Sequence, residues 1–155
     1  MTVIGFNFSK ISASRKNPPR GKININRTCK PTKVEEATIA GGQKALRYSF
    51  EFSVEYQPDV ALLEFEGALV ELVSEEEHKS VLSAWEDSEQ LPPKSLERVM
   101  NELLDRCHVE AILMSKELGI PPPIKMPSVK VKDESAPVSE EKESSETKKK
   151  EKKKD

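Results

Sequence analysis

Residues 46–56, LRYSFEFSVEY, alternate without a fault. Leu46, Tyr48, Phe50, Phe52, Val54 and Tyr56 fall in one phase. Arg47, Ser49, Glu51, Ser53 and Glu55 fall in the other. A period of two, rich in aromatic and β-branched residues, predicts a strand with one apolar face buried and one face in water. Residues 57–59, QPD, then supply a turn, with Pro58 pre-set for a central position. A second strand follows in ALLEFEGALVEL, residues 61–72. Its inward phase begins Ala61, Leu63, Phe65, and past Gly67 the apolar set moves to Val70 and Leu72. That shift at a glycine predicts a β-bulge in this strand.

Working upstream, Ile23, Ile25 and Cys29 give a looser alternation, and Ile4, Phe6 and Phe8 another. Asn17 to Gly21 and Gly41-Gly42 mark the breaks between them. Four strands in sequence with short connections predict an antiparallel meander. Downstream the period changes to 3.6. Ser74 followed by Glu77 has the form of a capping box, and His78, Val81, Leu82 and Trp85 share a helical face. Leu91-Pro92-Pro93 ends that short helix and opens another, proline being tolerated in a first turn. Leu96, Val99, Met100, Leu103, Leu104, Cys107, Ala111, Met114 and Leu118 then follow helical spacing for more than five turns. Gly119 is the expected C-cap. The fold class is therefore α+β: a four-stranded antiparallel meander covered on one face by a short helix and a long amphipathic C-terminal helix.

A second apolar stripe, Val109, Ile112 and Leu113, lies on another side of the long helix, so something besides the sheet is expected to cover it. The segment after the helix, GIPPPIKMP (119–127), is stiffened by Pro121, Pro122 and Pro123. It carries Ile124 and Met126, which are expected to fold back on the stripe. Two readings stay open: the hook is a lid of its own subunit, or it is a subunit contact or partner-binding edge.

Composition bounds the rest. The chain has 155 residues and a formal net charge of −2. Residues 1–33 hold eight bases and no acid, while residues 34–129 hold 19 acids against 8 bases. Such segregation either presents two surfaces or pairs the halves in space. Residues 130–155 are almost all Lys, Glu, Ser and Asp and are expected to be a disordered tail, leaving a domain over residues 1–129. No run of about 18 apolar residues occurs, and no signal peptide is expected at the start. Cys29 and Cys107, far apart and without a CxxC, read as reduced thiols of a cytoplasmic protein.

No catalytic constellation emerges. His108 and Cys107 are adjacent on a helix and diverge by about 100°, so they form neither a metal pair nor a nucleophile–base pair. No glycine loop precedes a helix to hold phosphate. Strand register puts Glu51 near Glu64 or Glu66 on the wet face, where like charges oppose each other. Lys22, Arg27 or Lys30 from a neighbouring basic strand is expected to interleave with them. The expectation is a non-enzyme without cofactor or metal. Arg15, Lys16, Arg20, Lys22 and Arg27 supply an alternative, contact with phosphates of RNA or of the ribosome. No aromatic interleaves with them for base stacking.

The order of elements, with the run from Leu96 to Pro127 and above all LGIPPPIKMP, resembles the secretion chaperone SecB and looks like the SecB-like proteins of archaea. The resemblance spans residues 2 to 127. It departs from bacterial SecB in having the proline hook and a Lys/Glu tail where that family has an acidic, aromatic C-terminal pattern. It implies an ATP-independent holdase, a homo-oligomer that exposes apolar grooves to unfolded or nascent polypeptides, with a role in export. The groove residues expected from amphipathicity are Trp85, Val109, Ile112, Leu113, Ile124 and Met126.

Overall fold

The computed structural model describes residues 2–127. The expected tail, residues 130–155, and the last two residues of the expected domain lie outside the described residues. Four strands come first: β1 (Thr2–Arg15), β2 (Asn24–Thr38), β3 (Lys44–Gln57) and β4 (Ala61–Leu72). Two helices follow, α1 (Glu75–Ser88) and α2 (Pro93–Leu118). All neighbouring strands pair antiparallel, in the spatial order β1-β4-β3-β2. The meander is thus carried by β2, β3 and β4. β1 does not lie beside β2 but crosses to the far edge and pairs with β4. The link after β1 is tied down there: Lys16 and Asn17 donate backbone N–H bonds to the Val60 carbonyl, and Lys16 pairs with Asp59 at 3.1 Å.

β3 is the spine. Its inward residues Leu46, Tyr48, Phe50, Phe52, Val54 and Tyr56 are all buried. Across the ladder they face Glu71, Leu69, Gly67, Phe65, Leu63 and Ala61 without a register shift. The bulge expected at Gly67 is therefore absent. Val70 and Leu72 belong to the other face, and the inward phase continues through Leu69 and Glu71. Gly67 has a different reason. A Cβ there would collide with the Asn7 carbonyl oxygen and come within 2.9 Å of the Phe50 ring. Glycine lets that ring lie across the strand and lets β1 approach closely.

The irregularities sit instead on the edge strands. β1 shifts register between Val3 and Gly5 and between Phe8 and Lys10, and β2 between Pro31 and Lys33. Bulges are favoured at sheet edges, where the extra residue need not be paired on both sides. Pro31, which has no N–H to donate, also suits an edge. The two shifts re-phase β1 so that Val3, Phe6, Phe8, Ile11, Ala13 and Arg15 oppose the inward row of β4. Phe6 stacks on Phe50 with centroids 5.5 Å apart, and Phe52 stacks on Phe65 at 5.6 Å.

α1 begins at Ser74, whose Oγ accepts a hydrogen bond from the Glu77 N–H. The reciprocal half of the capping box is not made, because the Glu77 carboxylate is engaged elsewhere. α2 ends as expected at Gly119, left-handed with φ 64°. Its buried line is Ser95, Val99, Leu103, Cys107, Ala111 and Ser115, one residue every four. Leu96, expected in the core, is exposed.

Glu71 anchors α2 to the sheet. It lies on the inward face of β4 with 1 % of its surface exposed. Arg98 of α2 grips it with two bonds, Nε to Oε1 at 2.5 Å and Nη2 to Oε2 at 3.0 Å. Arg98 also bonds Glu77 Oε1 at 2.7 Å, and Ser95 Oγ donates to the same oxygen at 2.9 Å. Burial opposes the guanidinium's charge, but these hydrogen bonds and the two carboxylate charges outweigh it and hold its pKa above the ordinary arginine range. One cation thus joins β4, α1 and α2. Burial raises the pKa of the neighbouring Tyr48 hydroxyl, and the charge of Glu71 adds to it.

Candidate functional site

The open face of the sheet is a lattice of charges. Glu51 lies directly opposite Glu66, and Ser53 opposite Glu64. The repulsion is relieved from both edges: Lys30 of β2 reaches Glu51 at 3.3 Å, and Lys10 of β1 reaches Glu66 at 3.2 Å and Glu64 at 4.0 Å. Lys30 is one of the three interleaving bases expected from sequence. Lys22 and Arg27 make no ion pair with a described residue, and Lys10 takes the place that β1 was not expected to occupy. The facing Glu51 and Glu66 are thus each countered by a lysine from one edge strand.

The helix-covered face is different. α2 is one helix wide and the sheet is four strands wide, so its two flanks leave inward side chains of the edge strands uncovered. On the β1 side, Phe6, Phe8 and Val109 line a groove of about 440 Å³ with Glu102, Asp105 and Arg106 at its rim. Arg106 lies over the Phe6 ring, 4.9 Å from its centroid, and pairs with Glu102 at 3.6 Å. Val109 is 60 % and Leu113 50 % exposed, and Ile11 of β1 is also exposed. On the β2 side, Cys29, Phe52, Met100 and Leu104 line a second groove of about 330 Å³ with Arg27 and His108. His108 packs edge-on against Phe52 with centroids 5.8 Å apart. Burial holds its pKa below the usual histidine value, and the charge of Arg27 lowers it further, with Asp105 opposing. Burial likewise pushes the Cys29 thiol up to about 11 and Cys107 to about 12, so neither is a poised nucleophile. Among the described residues no three His, Cys, Asp or Glu side chains converge as a metal site.

The residues expected to form the groove are spread over three elements. Val109 and Leu113 stand exposed on α2, while Ile112 is half-buried beside them. Trp85, on α1, is half-buried against the core. The hook does not bury Ile124 and Met126 on the stripe: Ile124 is half-buried and Met126 is 51 % exposed. The hook is pinned one turn earlier. Ile120 and Pro123 are buried, and the Tyr56 hydroxyl donates to the Pro121 carbonyl at 2.7 Å. Pro121, Pro122 and Pro123 have no N–H to donate, and the hydroxyl of Tyr56 near the end of β3 supplies the donor. Phe6, Phe8, Met100, Leu104 and His108 were missed as groove residues because their exposure depends on which strands lie at the edges.

The five basic residues lie on β1, β2 and the link between them. Arg15 lies on the inward face of β1, its guanidinium close to Gly119 at the end of α2. Lys16 is paired with Asp59, Arg20 and Lys22 are exposed in the link to β2, and Arg27 sits on β2 beside the second groove.

No protein-family model matches the chain, and no curated protein matches it. Among solved structures, the fold is similar to that of the Mycobacterium tuberculosis SecB-like chaperone Rv1957, solved in complex with a ChAD peptide from the Rv1956 HigA1 antitoxin. The TM-score is 0.52 at 16 % identity, over 84 % of this chain and 92 % of the other. At that identity the likeness speaks for the fold: the chain is built as a four-stranded antiparallel sheet with two helices, similar to a SecB-like chaperone.

Proposed function

We propose that the protein is an ATP-independent chaperone of the holdase type, which captures unfolded or nascent polypeptides on the apolar flanks of α2. One observation carries the reading. Val109 stands in water beside the aromatic floor of Phe6 and Phe8, and Leu113, one helical turn further along α2, is exposed as well. Contiguous apolar surface kept exposed next to a groove is what a peptide-binding site requires. The fold is similar to that of a chaperone solved with a peptide bound, which is in keeping with this use. Ile112, Ile124, Met126 and Trp85 add further partly exposed apolar surface on other parts of the molecule, and a homo-oligomer would join such surfaces from several copies. A role in export, a cytoplasmic setting and the archaeal affinity rest on the sequence resemblance. No helix among the described residues is long and apolar enough to cross a membrane. The proposed activity calls for no cofactor and no catalytic group. The alternative, RNA or ribosome binding through the basic segment, has the run of bases itself as its support and no aromatic among them on which a base would stack.

The test is light scattering of a chemically unfolded client diluted into buffer. The protein should suppress aggregation equally with and without ATP, and equally at low and moderate salt. Phosphate binding would weaken steeply over the same salt range. Suppression that requires nucleotide, or none at several-fold molar excess, would overturn the proposal.

A further inference from the structure

We propose that the groove between α2 and the outer edge of β2 takes an extended apolar segment bearing a carboxylate, so that this flank selects acidic clients. The assignment rests on the peptide-binding reading above. Among the described residues β2 is the last strand of the sheet, so its outer backbone N–H and C=O groups can pair with one more strand. Cys29, Phe52, Met100 and Leu104 form the apolar floor. Arg27 supplies the charge. It lies two residues from Cys29, in the same phase of β2, opposite inward-facing Val54. It makes no ion pair with any described residue, and no carboxylate among the described residues lines this groove.

The β1 flank has the opposite character: there Glu102 and Asp105 line the rim, and Arg106 is already taken up by Glu102 and the Phe6 ring. An unpaired guanidinium beside an apolar floor is matched by a carboxylate, which it can hold with two parallel bonds. The ordinary charge of His108 does not compete for that carboxylate, since burial and Arg27 favour its neutral form. Side chains of an added strand alternate in direction. The carboxylate that reaches Arg27 and the apolar side chain that reaches the floor are therefore two residues apart.

Three fluorescein-labelled decapeptides test this. Each alternates serine with leucine or phenylalanine, and they differ only in carrying Asp, Asn or Lys two residues from the phenylalanine. Binding to the full chain is read by anisotropy. The Asp peptide should bind about fivefold more tightly than the Asn peptide, the upper range for an exposed ion pair, with the Lys peptide weakest. Arg27→Glu, on an exposed position, should invert the order, while Glu55→Gln on the open sheet face should leave it unchanged. Equal binding of all three peptides, or an order that survives Arg27→Glu, overturns the inference. So does a change of oligomeric mass in Arg27→Glu without a change in peptide binding, which would make the groove a contact between copies. If the wild type suppresses aggregation yet shows no charge preference, only this inference fails. If it neither suppresses aggregation nor binds any peptide, the chaperone reading fails with it.

Discussion

Replacing Arg98 by methionine removes the single cation that joins β4, α1 and α2 while keeping most of the side chain's length. Its partner Glu71 is then left with almost no surface in water. Breaking a buried pair by deleting one partner typically costs 3–5 kcal/mol, most of it the uncompensated charge that remains. Glu77 is left partly exposed and can re-solvate, so it adds little. Unfolding entropy near 2.1 cal/mol/K per residue over about 126 residues makes each kcal/mol worth roughly 4 °C, so Arg98→Met should lower Tm by about 10–20 °C. The double variant Glu71→Met/Arg98→Met removes the orphaned charge as well and should recover most of that loss. Circular dichroism melts of the wild type, both single variants and the double variant complete the cycle. If Arg98→Met melts within about 3 °C of the wild type, or the double variant is worse than the sum of the singles, the clasp is not what docks α2 on the sheet.

Gly67→Ala should destabilise by about 1–3 kcal/mol or more, since the new methyl meets the Asn7 carbonyl and the Phe50 ring together; urea midpoints check it, and a neutral result would mean that β1 is not held that close. Tyr56→Phe deletes the bond to the Pro121 carbonyl and should cost about 1 kcal/mol, with hydrogen exchange at Ile120 accelerated more than in the centre of β3. His108 should titrate below the usual histidine range by NMR, and Arg27→Gln should move it upward by removing the second of its two depressing causes. The sign follows from linkage: with the folded pKa depressed, the unfolded chain binds the proton more readily. The histidine's contribution is therefore complete above its unfolded pKa and is lost as pH falls below it. A titration at or above the ordinary value would contradict the packing of His108 against Phe52.

β3 was legible because its partners bury one face and leave the other in water, so its alternation is unbroken. The two helices were legible from their period, cap residues and prolines. The position of β1 was not, because pairing across the sheet leaves no local trace and two bulges scramble the strand's phase, turning Ile4 out into solvent. The false bulge at Gly67 came from reading apolar Val70 and Leu72 as inward. Glu71 held the correcting signal: the phase of Ala61, Leu63 and Phe65 runs on to that glutamate, and a carboxylate in a buried row demands a cation. Arg98, among the charged residues of α2, could have been paired with it on that ground. Of the second stripe, Val109, Ile112 and Leu113, the first and last are exposed and Ile112 is half-buried. The hook does not cover it as expected: rigid prolines and the Tyr56 bond fix the hook at Ile120 and Pro123, and leave Met126 in water.

The most direct test of the chaperone reading places a photo-cross-linking benzoylphenylalanine at Leu113 and, separately, at Glu55 on the open sheet face. Both positions are exposed, so neither substitution should disturb the fold. Irradiation with an unfolded, aggregation-prone client should yield adducts from position 113 and few from position 55, with no adducts from 113 once the client has folded. Equal labelling from both faces, or labelling from 55 alone, would contradict the account.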